Sequence, residues 1–259
     1  MHRFASSLAA LALGATLSAT AQASVIVSLP GNLTFIDAHP VSPAFDGWSL
    51  AGDVSAPDEH TLLLTTAFDA SDDAGASVVV GSGAIPAQQW RGVEELAGLT
   101  IGALDTVVDG VAQQAMEGSV VSRTLWFRAG DTLSFRWQLL SNEDPSTGLP
   151  DLAFASIGGQ LFELGTPRIA DLQGFAGFQH GSGWMTFSHT FTDTGPVALA
   201  NLELALGVVD RGDNTTSSAL AIQNVTVTPA VPEPGAWGLM VVGLLALGKL
   251  TRSRRVTRR

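Results

Sequence analysis

"TLSFRWQL", residues 132–139, decides the fold: Leu133, Phe135, Trp137 and Leu139 alternate with Ser134, Arg136 and Gln138. Residues two apart share a face of an extended chain, so this is a strand with one buried face and one wet face. The preceding "VVSRTLWFRAGD", residues 120–131, places Ala129, Gly130 and Asp131 between apolar runs, as a hairpin connection would. Trp126 and Trp137 fall within these strand patterns and are expected in the core.

Outward from this pair the same texture recurs. "GWSLAG" (47–52), "TLLLTTAF" (61–68), "ASVVVG" (76–81), "DLAFASIGG" (151–159), "QLFEL" (160–164), "GWMTFSHTF" (183–191), "VALANLELALGVV" (197–209) and "ALAIQNVTVT" (219–228) are short apolar runs broken by Gly, Asp, Asn and Pro. Many short strands with little else predict an all-β, antiparallel two-sheet sandwich of jelly-roll type. The exception is "RGVEELAGLTIGALDTVVDGVAQQAMEG" (91–118), where Val93, Leu96 and Ala97, then Leu104, Val107, Val108 and Val111, recur at helical spacing. One or two short helices are expected there, in a crossover between sheets, broken at Gly98, Gly102 and Gly110.

Charge and the ends of the chain set the organisation. The opening 23 residues have a basic start (His2, Arg3), an apolar stretch and the small-residue pattern Ala21, Gln22, Ala23, which predicts a secretory signal peptide cleaved before Ser24. All 24 acidic residues but only six basic ones lie between Ser24 and Gly235, a formal charge of −18 against −11 for the whole chain. Such a field excludes nucleic acid as a partner of this part and disfavours direct adhesion to polyanions. There are no cysteines, so thiol catalysis, thiolate metal sites and disulfides are absent. Residues 24–228 are long enough to fold as one exported domain on an apolar core alone. Residues 229–235 form a proline-rich linker, and 236–259 a short apolar run ending in an arginine cluster. That run is near the roughly 20 residues of a membrane helix, with its positive flank on the cytoplasmic side.

The order Pro232, Glu233, Pro234, apolar helix, C-terminal arginines resembles the PEP-CTERM sorting signal of Gram-negative bacteria. The resemblance implies processing by a membrane-embedded protease, the exosortase. It also implies export to the cell surface or extracellular polysaccharide matrix after transient tethering in the inner membrane. "AMEGSVV", "AGDTLSFRWQLLSNEDP", "DLAFASIGGQLFEL", "GSGWMTFSHTF" and "LGVVDRGDNTTSSALAIQNVTV" are similar to successive landmarks of a β-sandwich domain recurrent in such proteins, covering roughly residues 47–227. Arg136 and Gln223 stand where that pattern has aspartate.

Chemistry-bearing groups are sparse. Glu143, Asp144 and Asp151 in "SNEDPSTGLPD" (141–151) and Asp210 and Asp213 in "VVDRGDN" (208–214) are the candidate ligands for a shared Ca²⁺, though the same residue types are ordinary turn formers. There is no G-x-S-x-G and no H-E-x-x-H, so serine-hydrolase and zinc-peptidase chemistry have no sequence support. Glu143, Glu163 and Glu203 are the carboxyls a glycoside hydrolase would draw on. Trp90, beside Arg91, is the tryptophan expected to be exposed and able to stack on a sugar. The expectation is therefore a non-catalytic binding or structural protein of the exopolysaccharide layer, with a matrix-remodelling glycosidase and a permanently anchored periplasmic-facing protein as alternatives.

Overall fold

The computed structural model describes residues 47–68, 79–143, 151–170, 172–192, 199–212 and 214–230. The predicted signal, PEP motif and membrane tail lie outside them, as do residues 231–235 of the linker and 76–78 of the strand expected over 76–81, whose described residues 79–81 are not in a strand. Among the described residues no helix is long and apolar enough to cross a membrane.

The described chain runs through β1 (Ser49–Ala51), β2 (Asp53–Asp58), β3 (Thr61–Thr65), β4 (Ile85–Pro86), α1 (Val93–Leu96), β5 (Thr106–Val108), β6 (Val111–Gln113) and β7 (Ala115–Phe127). It continues through β8 (Thr132–Ser141), β9 (Leu152–Ile157), β10 (Gln160–Gly165), a 3-10 turn (Pro167–Ile169), β11 (Leu172–Gln173), β12 (His180–Gly181), β13 (Met185–Thr190), β14 (Ala200–Arg211) and β15 (Ser218–Thr228). A first sheet has the order β1-β7-β14-β9-β10, with β4 added to β7; a second has β11-β12-β8-β15-β3-β2, with β13 also on β8. The pairings are antiparallel.

Between the sheets lies one apolar layer. Leu62, Leu64, Leu133, Phe135, Trp137, Leu139, Leu220 and Ile222 from the second sheet meet Val121, Leu125, Ala153, Ala155, Ile157, Leu204, Leu206 and Val208 from the first. Burial of each large side chain contributes about 1.5–3 kcal/mol, so this layer holds the sandwich together. The alternation expected in residues 132–139 is present: Arg136 is exposed while Leu133, Phe135 and Trp137 are buried. β9 and the second half of β14 are buried on both faces. Their outward residues Leu152, Phe154, Ala205 and Val209 are covered by Ile85 of β4 and by Val93, Ala97 and Leu104 of the segment between β4 and β7.

That segment departs from the helical expectation. Only the four residues of α1 are helical, and the segment lies on the outer face of the first sheet instead of crossing between sheets. The valines at helical spacing form the two-stranded ribbon β5–β6, in which Val108 faces Val111. Asp109 (φ 51°) and Gly110 (φ 81°) occupy the two central turn positions. An Asp-Gly pair with positive φ at both residues makes the tight turn whose twist matches that of its strands, and this local signal overrides the apolar period.

The connection at 128–131 is likewise not a hairpin. β7 belongs to the first sheet and β8 to the second, so the chain turns a corner between layers. Gly130 adopts φ 90° and donates to the Phe191 carbonyl (2.6 Å), and the Phe191 amide donates to the Asp131 carbonyl (2.9 Å). The Asp131 carboxylate accepts from the amides of Arg128 (2.8 Å) and Ala230 (3.0 Å), fastening the corner to the end of β15. Those amides, Ala230 first, hold the Asp131 carboxyl below its ordinary 3.8, and the amide of His60 does the same for Asp58. A carboxyl depressed in the folded state adds stability above its unfolded pKa, and that stability is lost as pH falls through the folded pKa. Urea midpoints measured from pH 6 down to pH 2 should therefore fall below about pH 4. The fall should be shallower in Asp131→Asn; an unchanged slope would remove this corner from the acid response.

Candidate functional site

Along β7 the residues Val121, Leu125 and Phe127 face the core, so Ser122, Thr124 and Trp126 point to the outer face of the first sheet. Register places Asn201 opposite Trp126 and Glu203 opposite Thr124 on β14. The covering segment reaches Val120 and Ala205; beyond them Thr124, Trp126, Asn201 and Glu203 are all exposed. Trp126, expected from sequence to fill the core, is 60% exposed. The uncovered end of the sheet is thus a flat polar surface with one indole in it. Directly paired side chains lie about 5 Å apart, which sets Asn201 at the rim of the ring.

The same tryptophan borders a groove at the open side of the sandwich. β1 pairs with β7 only as far as Ser122, and β3 pairs with β15 only as far as Gln223. Past those points the edges of both strands lack a strand partner among the described residues. A depression of about 260 Å³ lies between them, lined by Arg123, Thr124, Leu125, Trp126 and residues 225–227. A bulge at Asn224, which adopts φ 55°, shapes its far wall. The extra residue moves the core-facing set from Leu220 and Ile222 to Val225 and Val227. Arg123 is half-buried, with its guanidinium 5.9 Å from the ring centre of Trp48.

Trp90 is exposed as expected, at 74%. Its own neighbour Arg91 lies over its ring at 4.8 Å, held with φ 63° and with its amide donating to the Glu95 carboxylate. A sugar would have to displace that guanidinium from one face. Among the described residues neither an aromatic ring nor a cation stacks on Trp126.

The two acidic loops do begin at one end of the sandwich, where the Asn142 amide donates to the Ser217 carbonyl at 3.1 Å. Asp144 and Asp213 lie outside the described residues. Glu143, Asp151 and Asp210 are buried. Asp210 lies within β14 and not in the loop expected from "VVDRGDN". Asp151 accepts from the Ser218 hydroxyl (2.7 Å) and the Arg211 amide (3.3 Å). Among the described residues no group of three or more His, Asp or Glu is arranged to hold a metal ion. The positive charge at this end comes from Arg211, whose Nε donates to the Leu104 carbonyl (2.5 Å) and whose Nη2 lies 3.5 Å from the Glu163 carboxylate. Glu163 is thereby paired, Glu143 is buried and Glu203 is exposed beside the Trp126 surface. Arg136 and Gln223 are direct cross-strand partners on the second sheet. Gln223 donates to the Thr61 hydroxyl, and Arg136 lies over Trp184 at 5.1 Å.

Sequence reasoning missed Trp126. In "TLWF", residues 124–127, three apolar residues stand in a row, so the pattern does not say which one points outward. The covering segment that leaves this end of the sheet open is a tertiary feature. No model of a known protein family matches the chain, and no curated protein matches it.

Proposed function

We propose that this is an exported, non-catalytic glycan-binding protein of the cell surface or extracellular polysaccharide layer, processed at a PEP-CTERM signal and built on a jelly roll. The observation that carries the binding reading is Trp126, exposed on a flat sheet face among Thr124, Asn201 and Glu203. A pyranose ring offers a C–H face that packs on an indole, and its rim of hydroxyls suits an amide, a hydroxyl and a carboxylate at the edge. The −18 charge favours a glycan that is uncharged along most of its length. A non-catalytic role is supported by the engagement of Glu163 with Arg211 and the burial of Glu143.

The strand order supports the jelly-roll assignment. β3-β15-β8-β13 faces β7-β14-β9-β10. Taken through β3, β7, β8, β9, β10, β13, β14 and β15, the chain changes sheet at every step except β9 to β10. Such interlocked crossing is what two nested Greek keys require.

Affinity electrophoresis of the full chain through gels containing uncharged glucans, mannans or galactans tests the binding. At least one should retard the protein, and Trp126→Ala should weaken retention about tenfold, as losing a well-packed aromatic anchor does. Trp90→Ala should leave it unchanged. Equal retardation of Trp126→Ala and wild type would refute the site. Mass spectrometry of the exported form tests sorting: a peptide containing Arg252 would refute processing.

A further inference from the structure

We propose that the groove beside Trp126 recognises a carboxylated sugar, with Arg123 binding its carboxylate; this rests on Trp126 as the stacking platform and names the glycan it serves. The exported part has six basic residues among 24 acidic ones, so a cation in a groove is rare here. The other arginines described above have local work: Arg91 lies over Trp90, Arg136 over Trp184, and Arg211 is paired with Glu163. Arg123 has no carboxylate at ion-pair distance among the described residues and is half-buried, its guanidinium backed by Trp48. A planar, partly desolvated guanidinium with an open approach binds carboxylate through two parallel N–H bonds.

Position fixes the polarity of the ligand. Arg123 and Trp126 line the same groove of about 260 Å³, whereas Glu203 and Asn201 lie toward β14, on the other side of the indole. A ring stacked on Trp126 therefore turns hydroxyls toward Asn201 and Glu203. Because alternation puts Arg123 on the inner side of β7, the groove runs round the strand's edge, and the carboxylate that Arg123 takes belongs to the next sugar along the chain. Thr124 and Thr226 also line the groove, the Thr226 hydroxyl being bonded to that of Ser134 at 3.1 Å. The overall negative field does not forbid this, because screening at physiological ionic strength confines it to about 8 Å. It selects instead against densely charged polymers. The ligand class is a mostly neutral glycan carrying occasional uronic acid residues.

Calorimetry of the full chain with a pair of oligosaccharides, one uncharged and one identical but for a single uronate, tests the assignment. Wild type should bind the uronate form about tenfold tighter at 0.15 M salt, and the preference should shrink as salt rises. Arg123→Gln should bring the two affinities within about twofold of each other. Arg123→Lys, which keeps the charge and the stem over Trp48, should retain part of the preference and guards against misfolding of the Gln variant. Trp126→Ala should weaken both sugars together. Uncharged binding with no uronate preference, or a preference that survives Arg123→Gln, overturns the role of Arg123 and leaves the platform standing. Binding of neither sugar overturns both.

Discussion

Replacing Asp53 by alanine is expected to destabilise the protein by at least about 3 kcal/mol, because several buried donors lose a charged acceptor at once. Asp53 is fully buried at the start of β2, opposite Thr65. Its carboxylate accepts from the Thr65 hydroxyl and from the amides of Val80 (2.8 Å), Gly81 and Gly83 (3.2 Å). Its own amide donates to the Ser119 hydroxyl (2.7 Å), which in turn donates to the Thr65 carbonyl (2.6 Å). The side chain thus ties β3 of the second sheet to the irregular segment at 80–83, while the backbone amide, which the alanine variant keeps, links the residue to strand β7 of the first sheet. The chain reaches this position through Gly52, the single residue between β1 and β2. At φ 91°, with Ser119 Oγ 2.5 Å from where a Cβ would stand, no larger residue fits there without movement. Asp53→Asn should cost less than alanine, since it keeps one good acceptor but presents an NH₂ to amide donors. Against a typical total of about 5–15 kcal/mol, the alanine variant should unfold at a much lower urea concentration. A midpoint corresponding to a loss under about 1 kcal/mol would show that water replaces the carboxylate without penalty.

How far such features could be read beforehand depends on the range over which they act. Strands β8, β13 and β15 were legible because alternation of Leu133, Phe135 and Trp137 with polar neighbours is local and has one interpretation. β9 was legible for the opposite reason: its unbroken apolar run reflects burial on both faces, bounded by Asp151 and two glycines. Sheet membership was not legible at 128–131. A Gly-Asp turn suits a hairpin as well as a corner, and only the partners Phe191 and Ala230, far along the chain, distinguish them. The helical period at 104–111 misled because three valines and a leucine fit that spacing. The Asp109-Gly110 pair carried the deciding steric information. Asp53 in "AGDV" looks like a turn residue; its partners at 80–83 lie about 30 residues away and carry no pattern of their own. The candidate site divides in the same way. Exposure of Trp90 followed from its polar, irregular surroundings, whereas exposure of Trp126 depends on where a remote segment stops covering a sheet.

Arg211→Ala should produce the second large loss, about 3 kcal/mol, and Arg211→Lys should fail to restore it. The residue sits at a bulge that shifts the register between Val209 and Arg211, and both Asp210 and Arg211 are buried there, at 1% and 3% exposure. Burial pushes the guanidinium pKa below its ordinary value, while Glu163 chiefly, then Asp151 and Asp105, push it back up. Arginine stays charged under any such balance, so its charge is held at this acidic end of the sandwich across the whole working pH range. Alanine would strand the Leu104 carbonyl, which accepts from Nε, and leave Asp151 without a neighbouring cation; each loss is of the order of 1–3 kcal/mol. A lysine ammonium is a single point with no fork, so it serves either the carbonyl or Glu163 and not both. Glu163→Gln should cost under about 1 kcal/mol, because the Glu163 side chain is 61% exposed and the pair is open to water on that side. Urea denaturation of the three variants therefore separates two accounts of this end of the molecule. If the ion pair with Glu163 dominates, Glu163→Gln and Arg211→Ala lose similar amounts. If the buried bond to Leu104 and the charge beside Asp151 dominate, only the arginine variants lose much, and the geometry requires the second outcome.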